Sequence, residues 1–288
     1  NMLLNMKELL KVAQEGKFAV GAYNIGSAEL LKVAIEECEA NNSPVILAIH
    51  PSELEYLTDE FVEYAKERAM RSPVPVVIHL DHGGTKEQIL RAIRCGFTSV
   101  MIDASHCSFE ENVKITKEIV EIAKPLNVSV EAELGTIGNL GESHEGGASE
   151  IIYTNPKKAK ELVERTGIDT LAVAIGTSHG LYPKWMTPKL NLELLKEIRE
   201  KVGIPLVLHG GSANPDAEIS ESVELGICKI NISSDIKSVF FKTVRETLKE
   251  NEKVMEPHEI FAKAIVEAKK VVKHKLELFN CIDKAKMY

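Results

Sequence analysis

Histidine and aspartate stand at the ends of apolar segments in this sequence. The stretch "PVPVVIHLDHGG" is rich in Val but closes on His79, Asp81 and His82. Burying such groups without partners costs several kcal/mol, so their position needs an explanation. Two further histidines stand in comparable places, His179 in "GTSHG" and His209 in "LVLHGGS". Three neutral imidazoles with one open coordination position form a catalytic zinc site, which makes His82, His179 and His209 candidate ligands.

Apolar segments alternate with charged, helix-like segments along most of the chain. The segments that predict strands are short, rich in β-branched or small apolar residues, and bounded by Gly, Pro, Asn or Ser. They are "FAVGAYNI" (18–25), "PVILAIH" (44–50), "VPVVIHLDH" (74–82), "SVMIDASH" (99–106), "SVEAELG" (129–135), "TLAVAIG" (170–176), "IPLVLHGG" (204–211) and "KINISSD" (229–235). Near-continuous apolar segments are typical of parallel strands covered on both faces.

Apolar residues at three- and four-residue intervals predict helices between these strands. The predicted helices cover residues 27–42, 85–96, 108–126, 155–167, 191–203 and 214–226, and two more follow over 237–280. The alternation predicts an α/β fold, a (β/α)8 TIM barrel with extra C-terminal helices, and we expect one domain over residues 1–288. A doubly wound open sheet is the alternative. Its dinucleotide-binding version loses support because no GxGxxG follows the first strand.

A barrel would bring the polar strand ends together, since barrel enzymes hold their active sites at the C-terminal ends of the strands. The fourth strand carries Asp103, and the fifth carries Glu131 and Glu133. A rim of unrelated polar residues is the alternative interpretation. His79 precedes His82 by three positions, so strand periodicity places its side chain on the opposite face.

Glycine and serine follow the last two predicted strands, in "HGGS" (209–212) and "NISSD" (231–235). Barrels commonly bind phosphate after strands seven and eight, through backbone N–H groups and hydroxyls. Short Gly/Ser turns are also common in loops of no special function. Their position in the predicted barrel favours a phosphate site.

Composition limits the classes of partner. The 288 residues carry a net charge of −8, which argues against nucleic acid as a partner because phosphate backbones need a dense basic surface. No stretch of 18 uncharged apolar residues predicts a membrane span, and the N-terminal segment reads as an amphipathic helix and not as a signal peptide. The five cysteines are scattered, which is typical of reduced thiols and a cytoplasmic protein.

Several of these motifs, taken together, resemble the class II, zinc-dependent ketose-bisphosphate aldolases. The motifs are "HLDHG", "GFTSVMIDASH", "SVEAELGTIG", "GTSHG", "LVLHGGS" and "KINISSD", in order and at the expected strand ends. "AVAIGTSHGLY" is similar to the tagatose-bisphosphate branch, and "GFTSVMIDASH" is as similar to the fructose-bisphosphate branch. The resemblance implies reversible cleavage of a ketose 1,6-bisphosphate to dihydroxyacetone phosphate and glyceraldehyde 3-phosphate.

The resemblance also implies roles for matching positions. The three histidines would bind Zn²⁺, Asp81 would exchange a proton with the C4 hydroxyl, and Asp103 and Glu133 would lie beside the metal as orienting groups or alternative ligands. Backbone groups around Gly180, Gly210 and Ser212 would hold a monovalent cation, Na⁺ or K⁺. The residues implied to contact the phosphorylated sugar are Asn24, Gly180, Gly210, Gly211, Ser212, Asn231, Ile232, Ser233 and Ser234. A homodimer or homotetramer is implied as well.

Three positions depart from the family pattern. The loop glutamate expected as the second catalytic base is shifted by one residue, so Glu142 is the candidate and Glu145 the alternative. His50 replaces a usual Ser or Thr, and His258 replaces an arginine that would clamp the distal phosphate. Either a nearby lysine and these histidines bind the distal phosphate in place of the arginine, or the substrate carries a different distal group, as in a phosphorylated sugar acid.

Other functions fit the sequence less well. A Schiff-base aldolase would use Lys229, which stands at the start of its strand and would leave the histidines unexplained. A non-catalytic phosphosugar-binding barrel predicts damage to Asp81 or the histidines, and all are present. A zinc hydrolase predicts His-x-His on the first strand, where "AYNIGS" has none.

Overall fold

Ten strands are present in the part of the chain that the computed structural model describes, residues 2–139, 151–186 and 188–288. They are β1 (Val20–Asn24), β2 (Val45–Ile49), β3 (Val76–Gly83), β4 (Ser99–Ile102), β5 (Ser129–Leu134), β6 (Gly138–Asn139), β7 (Thr170–Val173), β8 (Ser178–His179), β9 (Leu206–Leu208) and β10 (Ile227–Ile232). Eight of them close into a barrel in the order β1-β2-β3-β4-β5-β7-β9-β10, and β6 pairs with β8 outside it. The predicted barrel is confirmed.

The described residues form eleven α-helices. They are α1 (Met6–Gly16), α2 (Ala28–Ala40), α3 (Pro51–Leu57), α4 (Asp59–Met70), α5 (Lys86–Cys95), α6 (Phe109–Ala123), α7 (Pro156–Thr166), α8 (Leu192–Lys201), α9 (Asp216–Glu224), α10 (Ser234–Glu250) and α11 (Pro257–Leu278). Short 3₁₀ turns lie at Lys124–Leu126 and Lys284–Met287. The extra C-terminal helices are α10 and α11, which pack on each other, and α11 also packs on α2.

The barrel strands are parallel and buried on both sides. β2 and β3 pair in register from Val45 opposite Val76 to Ile49 opposite Leu80. Every residue of β1, β2, β4 and β10 is buried, because helices cover the outer face and side chains fill the interior. This double burial is the reason that the strands read as continuous apolar runs in the sequence.

Local signals fix where the helices begin and end. Thr85 accepts a hydrogen bond from Gln88 N at the start of α5, and Gly96 ends that helix with a φ of 94°. Ser108 caps α6 in the same way, with Glu111 completing a capping box. These bonds satisfy backbone groups that a helix end leaves unpaired.

Two features of the fold were not predicted. Helices α3 and α4 fill the connection between β2 and β3, and β6 and β8 form a short parallel pair at the rim. The sequence did contain a signal for the start of α3. His50 is its N-cap, Pro51 stands at the first helical position, and Glu53 completes a capping box. None of the described helices is long and apolar enough to cross a membrane.

Candidate active site

The three predicted zinc ligands lie together at the C-terminal end of the barrel. His82 comes from β3, His179 from β8, and His209 from the residue after β9. Their ligand nitrogens all lie within 4.8 Å of one another. The ring centroid of His82 lies 5.1 Å from that of His179 and 4.7 Å from that of His209. The fold therefore assembles three imidazoles that are far apart in sequence.

His82 reaches this cluster through an irregular backbone. Its φ is 47°, in the left-handed region, and the pairing of β3 with β4 shifts register between Leu80 and Gly83. The kink turns the His82 side chain into the site, although strand periodicity would direct it outward. His79 also faces the barrel interior, where its Nδ1 lies 2.8 Å from Ser99 Oγ. The prediction that these two histidines point to opposite faces was wrong.

Carboxylates fix the tautomers of two of the imidazoles. His82 Nδ1 lies 2.9 Å from Asp103 Oδ2, and His209 Nε2 lies 2.8 Å from Glu131 Oε2. Each ring donates its N–H to the carboxylate, so the other nitrogen points away from it. These other nitrogens, His82 Nε2 and His209 Nδ1, face each other at 3.0 Å. A cation must lie between two such acceptors.

A proton or a metal ion can supply that cation. Burial disfavours the charged form of His82, but Asp81 and Asp103 outweigh it and raise the pKa of His82 to about 10. Burial and the neighbouring His82 lower the pKa of His209, against the opposing effect of Glu131. Zn²⁺ fits the same place, since tetrahedral Zn–N bonds of about 2.0–2.1 Å separate two ligand nitrogens by about 3.3 Å.

A second group of candidate ligands overlaps the first. His82, Asp103 and Glu133 also place one ligand atom each within 4.8 Å of the others. Glu133 is buried, and its Oε2 lies 3.4 Å from His209 Nδ1. Burial and the nearby Asp103 raise the pKa of Glu133 well above its usual value. Asp103 and Glu133 therefore both lie beside the histidine cluster.

Asp81 lies next to the imidazoles and is held by two amides. Its carboxylate accepts hydrogen bonds from Asn24 Nδ2 at 3.2 Å and from Asn231 Nδ2 at 3.3 Å. His82 Nε2 lies 3.8 Å from Asp81 Oδ1. Burial raises the pKa of Asp81, but His82, His209 and Lys229 together hold it well below its usual range. The carboxylate is therefore ionised and can accept a proton from a group bound at the cluster.

The site contains charged residues that the sequence did not assign to it. Glu53, the capping-box residue of α3, accepts a hydrogen bond from the Asn24 amide that also holds Asp81. Lys229, considered only as a Schiff-base lysine, is fully buried beside Glu131. The sequence contained a signal that Lys229 belongs to the site: it stands two residues before Asn231 on β10, and alternate residues of a strand share a face.

The predicted phosphate-binding segments also lie side by side. The backbone N–H of Gly211 donates to the carbonyl oxygen of Asn231 at 3.1 Å, and Asp235 N donates to Ser212 Oγ at 3.2 Å. The 17-residue helix α10 begins here, directly after Ser233. A helix N-terminus of this length attracts anions through its free N–H groups and its dipole.

Two glycines at this rim have backbones that suit glycine. Gly180 has a φ of 94° directly after β8, and Gly210 has a φ of 62°. A Cβ atom on Gly210 would lie 2.7 Å from the carbonyl oxygen of Ser178. Ile232 is fully buried in β10. Glu142 and Glu145 lie outside the described residues.

The family profile described as "Fructose-bisphosphate aldolase class-II" matches residues 4–284 of this chain. The chain belongs to the class-II fructose-bisphosphate aldolase family. Among family relatives, a fructose-bisphosphate aldolase from Staphylococcus epidermidis is 41% identical, with 99% of each chain covered. One from Geobacillus stearothermophilus is 42% identical over 98% of this chain and 99% of its own.

A solved structure of this fold is that of the YdjI aldolase from Escherichia coli K12. It is 34% identical to this chain, with a TM-score of 0.84 and coverage of 99% of this chain and 100% of that one. Family membership makes this protein an aldolase, a carbon–carbon lyase.

Proposed function

We propose that this aldolase reversibly cleaves a ketose 1,6-bisphosphate, fructose or tagatose 1,6-bisphosphate, with Zn²⁺ bound by His82, His179 and His209. The observation that carries the proposal is the pair of imidazole nitrogens that face each other at 3.0 Å, each ring backed by a carboxylate. Carboxylate-backed imidazoles are the usual ligands of catalytic zinc. The products would be dihydroxyacetone phosphate and glyceraldehyde 3-phosphate.

Asp81 is the proposed base for the C4 hydroxyl. Its position beside His82, with two amide N–H groups fixing its orientation, supports a role at the reacting end of a ligand held by the imidazoles. In the cleavage direction Asp81 takes the hydroxyl proton, and in the condensation direction it returns the proton. Bound zinc would supply a Lewis acid for the electrons left on the three-carbon fragment. A second proton transfer is assigned to Glu142, with Glu145 as the alternative.

The 1-phosphate is proposed to bind where the loop after β9 meets the start of α10. Gly210–Ser212 would supply backbone N–H groups, and Asn231–Ser234 would supply the helix start and hydroxyls. Na⁺ or K⁺ is proposed beside Gly180, Gly210 and Ser212. Asn214 Nδ2 donates to the carbonyl oxygens of Gly210 and Ser212, and each oxygen keeps a second lone pair that a cation could use.

A second substrate class is favoured by the charges near Asn24. Glu53 lies 3.6 Å from Lys237, so its carboxylate offsets the nearby cation that a distal phosphate would need. Burial raises the pKa of Glu53, with Lys237 opposing it. His258 is exposed at the start of α11. A class-II aldolase whose substrate carries a different distal group, such as a phosphorylated sugar acid, is therefore the alternative.

The remaining assignments are proposals about the whole protein. We propose one domain over residues 1–288, a homodimer or homotetramer, a cytoplasmic location, and a small phosphorylated sugar as partner, not nucleic acid. All five cysteines are free in the structure, which supports a reducing compartment.

A substrate panel tests the reaction and the distal group. Fructose and tagatose 1,6-bisphosphates, ketose 1-phosphates and phosphorylated sugar acids would be compared by kcat/KM, because discrimination is a ratio of these constants. The proposal expects a bisphosphate to lead, with activity lost to EDTA and no borohydride trapping of substrate. Borohydride trapping with EDTA-resistant activity would instead establish a Schiff-base mechanism.

Variants at Asp81 test the assigned base. Asp81→Ala should lower kcat by about 10²- to 10⁴-fold, the usual contribution of a general base, while elemental analysis finds zinc at the wild-type level. Asp216→Asn is the matched control, because this exposed aspartate pairs with His274 on the outside of the barrel. Near-normal turnover by Asp81→Ala would show that another group moves the C4 proton.

A further inference from the structure

Lys229 is a charged residue enclosed within the barrel, and the reaction described above does not use it. Its side chain is 0% exposed. Its Nζ lies 3.0 Å from Glu131 Oε1 and donates a hydrogen bond to Asn231 Oδ1 at 2.8 Å. An ammonium group has three donors, so one lysine can hold both partners at once.

The contact with Asn231 orients Asp81. Because Lys229 can only donate, the atom of the Asn231 amide that faces it must be the oxygen. The amide nitrogen must then point the other way, where Asn231 Nδ2 donates to Asp81 Oδ1. If the amide were reversed, its oxygen would face the Asp81 carboxylate and repel it. Lys229 thus fixes which side of Asn231 the proposed base encounters.

The contact with Glu131 orients His209. Glu131 Oε1 pairs with Lys229, and its Oε2 accepts the N–H of His209 Nε2. A carboxylate held by an ammonium on one oxygen presents the other oxygen in a fixed direction. The His209 ring is then held with Nδ1 directed at His82 Nε2. The same lysine therefore reaches both the metal-ligand cluster and the proposed base.

We propose that Lys229 is a positioning residue for the aldol reaction, which orients Asp81 through Asn231 and the His209 imidazole through Glu131. This inference rests on the proposed function. The enclosed position of its nitrogen, already engaged by Glu131 and Asn231, also argues against a Schiff-base role for Lys229.

Two variants separate this role from simple stabilisation. Lys229→Met has a similar shape but leaves Glu131 as an unpaired buried charge, which is strongly destabilising. The double variant Lys229→Met/Glu131→Gln removes both charges and is designed to fold. The side-chain amide introduced at position 131 has no ammonium to orient it and can turn its NH₂ group toward His209. Val45→Ala, in the wall of the barrel on β2, is the control for general loss of core packing.

Two readouts are measured on the folded double variant. Competition with a chromophoric chelator gives the zinc Kd, which we expect to rise about tenfold, within the range for losing a partner of a metal ligand. At saturating zinc, kcat should fall at least about tenfold with a smaller change in KM, because the misoriented Asp81 affects the chemical step more than binding. Val45→Ala should leave the zinc Kd and kcat near wild type.

The outcomes test the positioning role of Lys229 and the proposed function separately. A zinc Kd or a kcat within about twofold of wild type in the folded double variant would overturn the positioning role. Failure of the wild-type enzyme to cleave any member of the substrate panel would instead defeat the proposed function, and the zinc Kd of the variant would still decide the link from Lys229 to His209.

Discussion

Replacing Asp103 with asparagine should weaken zinc binding although the variant is nearly isosteric. Asp103 uses both carboxylate oxygens: Oδ2 accepts the N–H of His82 Nδ1 at 2.9 Å, and Oδ1 accepts from Ser105 N at 3.1 Å and Ser105 Oγ at 2.7 Å. Asparagine has one oxygen and one NH₂ group. If its oxygen stays with Ser105, its NH₂ faces His82 Nδ1, which must then accept.

The magnitude follows from the tautomer of His82. An Nδ1 that accepts moves the ring proton to Nε2, the nitrogen that faces His209 and would bind the metal. If the introduced asparagine instead keeps its oxygen on His82, it loses the acceptor for Ser105 and the negative charge behind the ring. A hydrogen bond to a charged group contributes about 1.5–3 kcal/mol. Since about 1.4 kcal/mol is tenfold in Kd, zinc should bind about 10- to 100-fold more weakly.

The assay is a zinc titration of EDTA-treated, dialysed protein against a chromophoric chelator at near-neutral pH. Ser105→Ala is the matched control, because it removes one bond to Oδ1 but leaves the carboxylate on His82. We expect its zinc Kd to stay within about threefold of wild type, under about 1 kcal/mol by the same conversion. If Asp103→Asn also stays within that range, Asp103 does not set the His82 tautomer, and the reasoning is refuted.

Three further changes probe other parts of the site. His82→Ala should lose zinc, and full occupancy by elemental analysis would remove it from the ligand set. Gly210→Ala should raise KM about 5- to 150-fold, equivalent to about 1–3 kcal/mol of strain, since its φ is 62° and its Cβ would meet Ser178 O at 2.7 Å; an unchanged KM would count against the phosphate loop. Burial lowers the pKa of His79 to about 3 from about 6.5 in the unfolded chain. The unfolded state therefore binds more protons between about pH 6.5 and 3, and within that window His79 should lower the free energy of unfolding by up to about 1.4 kcal/mol per unit of falling pH. Urea titrations of EDTA-treated protein at several pH values give the free energy of unfolding, which should fall less steeply with falling pH in His79→Asn than in the wild type. An identical pH dependence would show that His79 does not cause the loss of stability.

The order of strands and helices could be predicted from the sequence because each barrel strand is buried on both faces. All eight predicted strands overlap the observed ones, and the helix predicted over 85–96 is α5, which is capped by Thr85 and Gly96. The connection over 51–70 was not predicted as helical. There a break at Thr58, with a φ of 68°, divides the apolar pattern into two short helices.

The site could be predicted as a set of residues but not as a network. The histidines and acids stood at strand ends, and barrel topology alone brings such ends together. The orientation of His82 could not be read from strand periodicity, because a left-handed residue and a register shift interrupt it. The contact of Lys229 with Glu131 could not be read either, since it depends on which strands face each other across the barrel.

The charged residues in the interior of this barrel are better explained by the orientation they impose on the site residues than by a contribution to the stability of the fold. Barrel interiors are usually filled with layers of branched apolar side chains. Here Lys229, Glu131 and His79 occupy that space, all 0% exposed. A buried ion pair seldom stabilises more than an apolar pair of the same shape, because desolvation offsets the attraction. Its geometry is directional where apolar packing is not, and both ends of the Lys229–Glu131 pair lead to groups with proposed roles in the reaction. A charged layer directly beneath the ligand cluster is the arrangement expected if those groups must be held in one orientation.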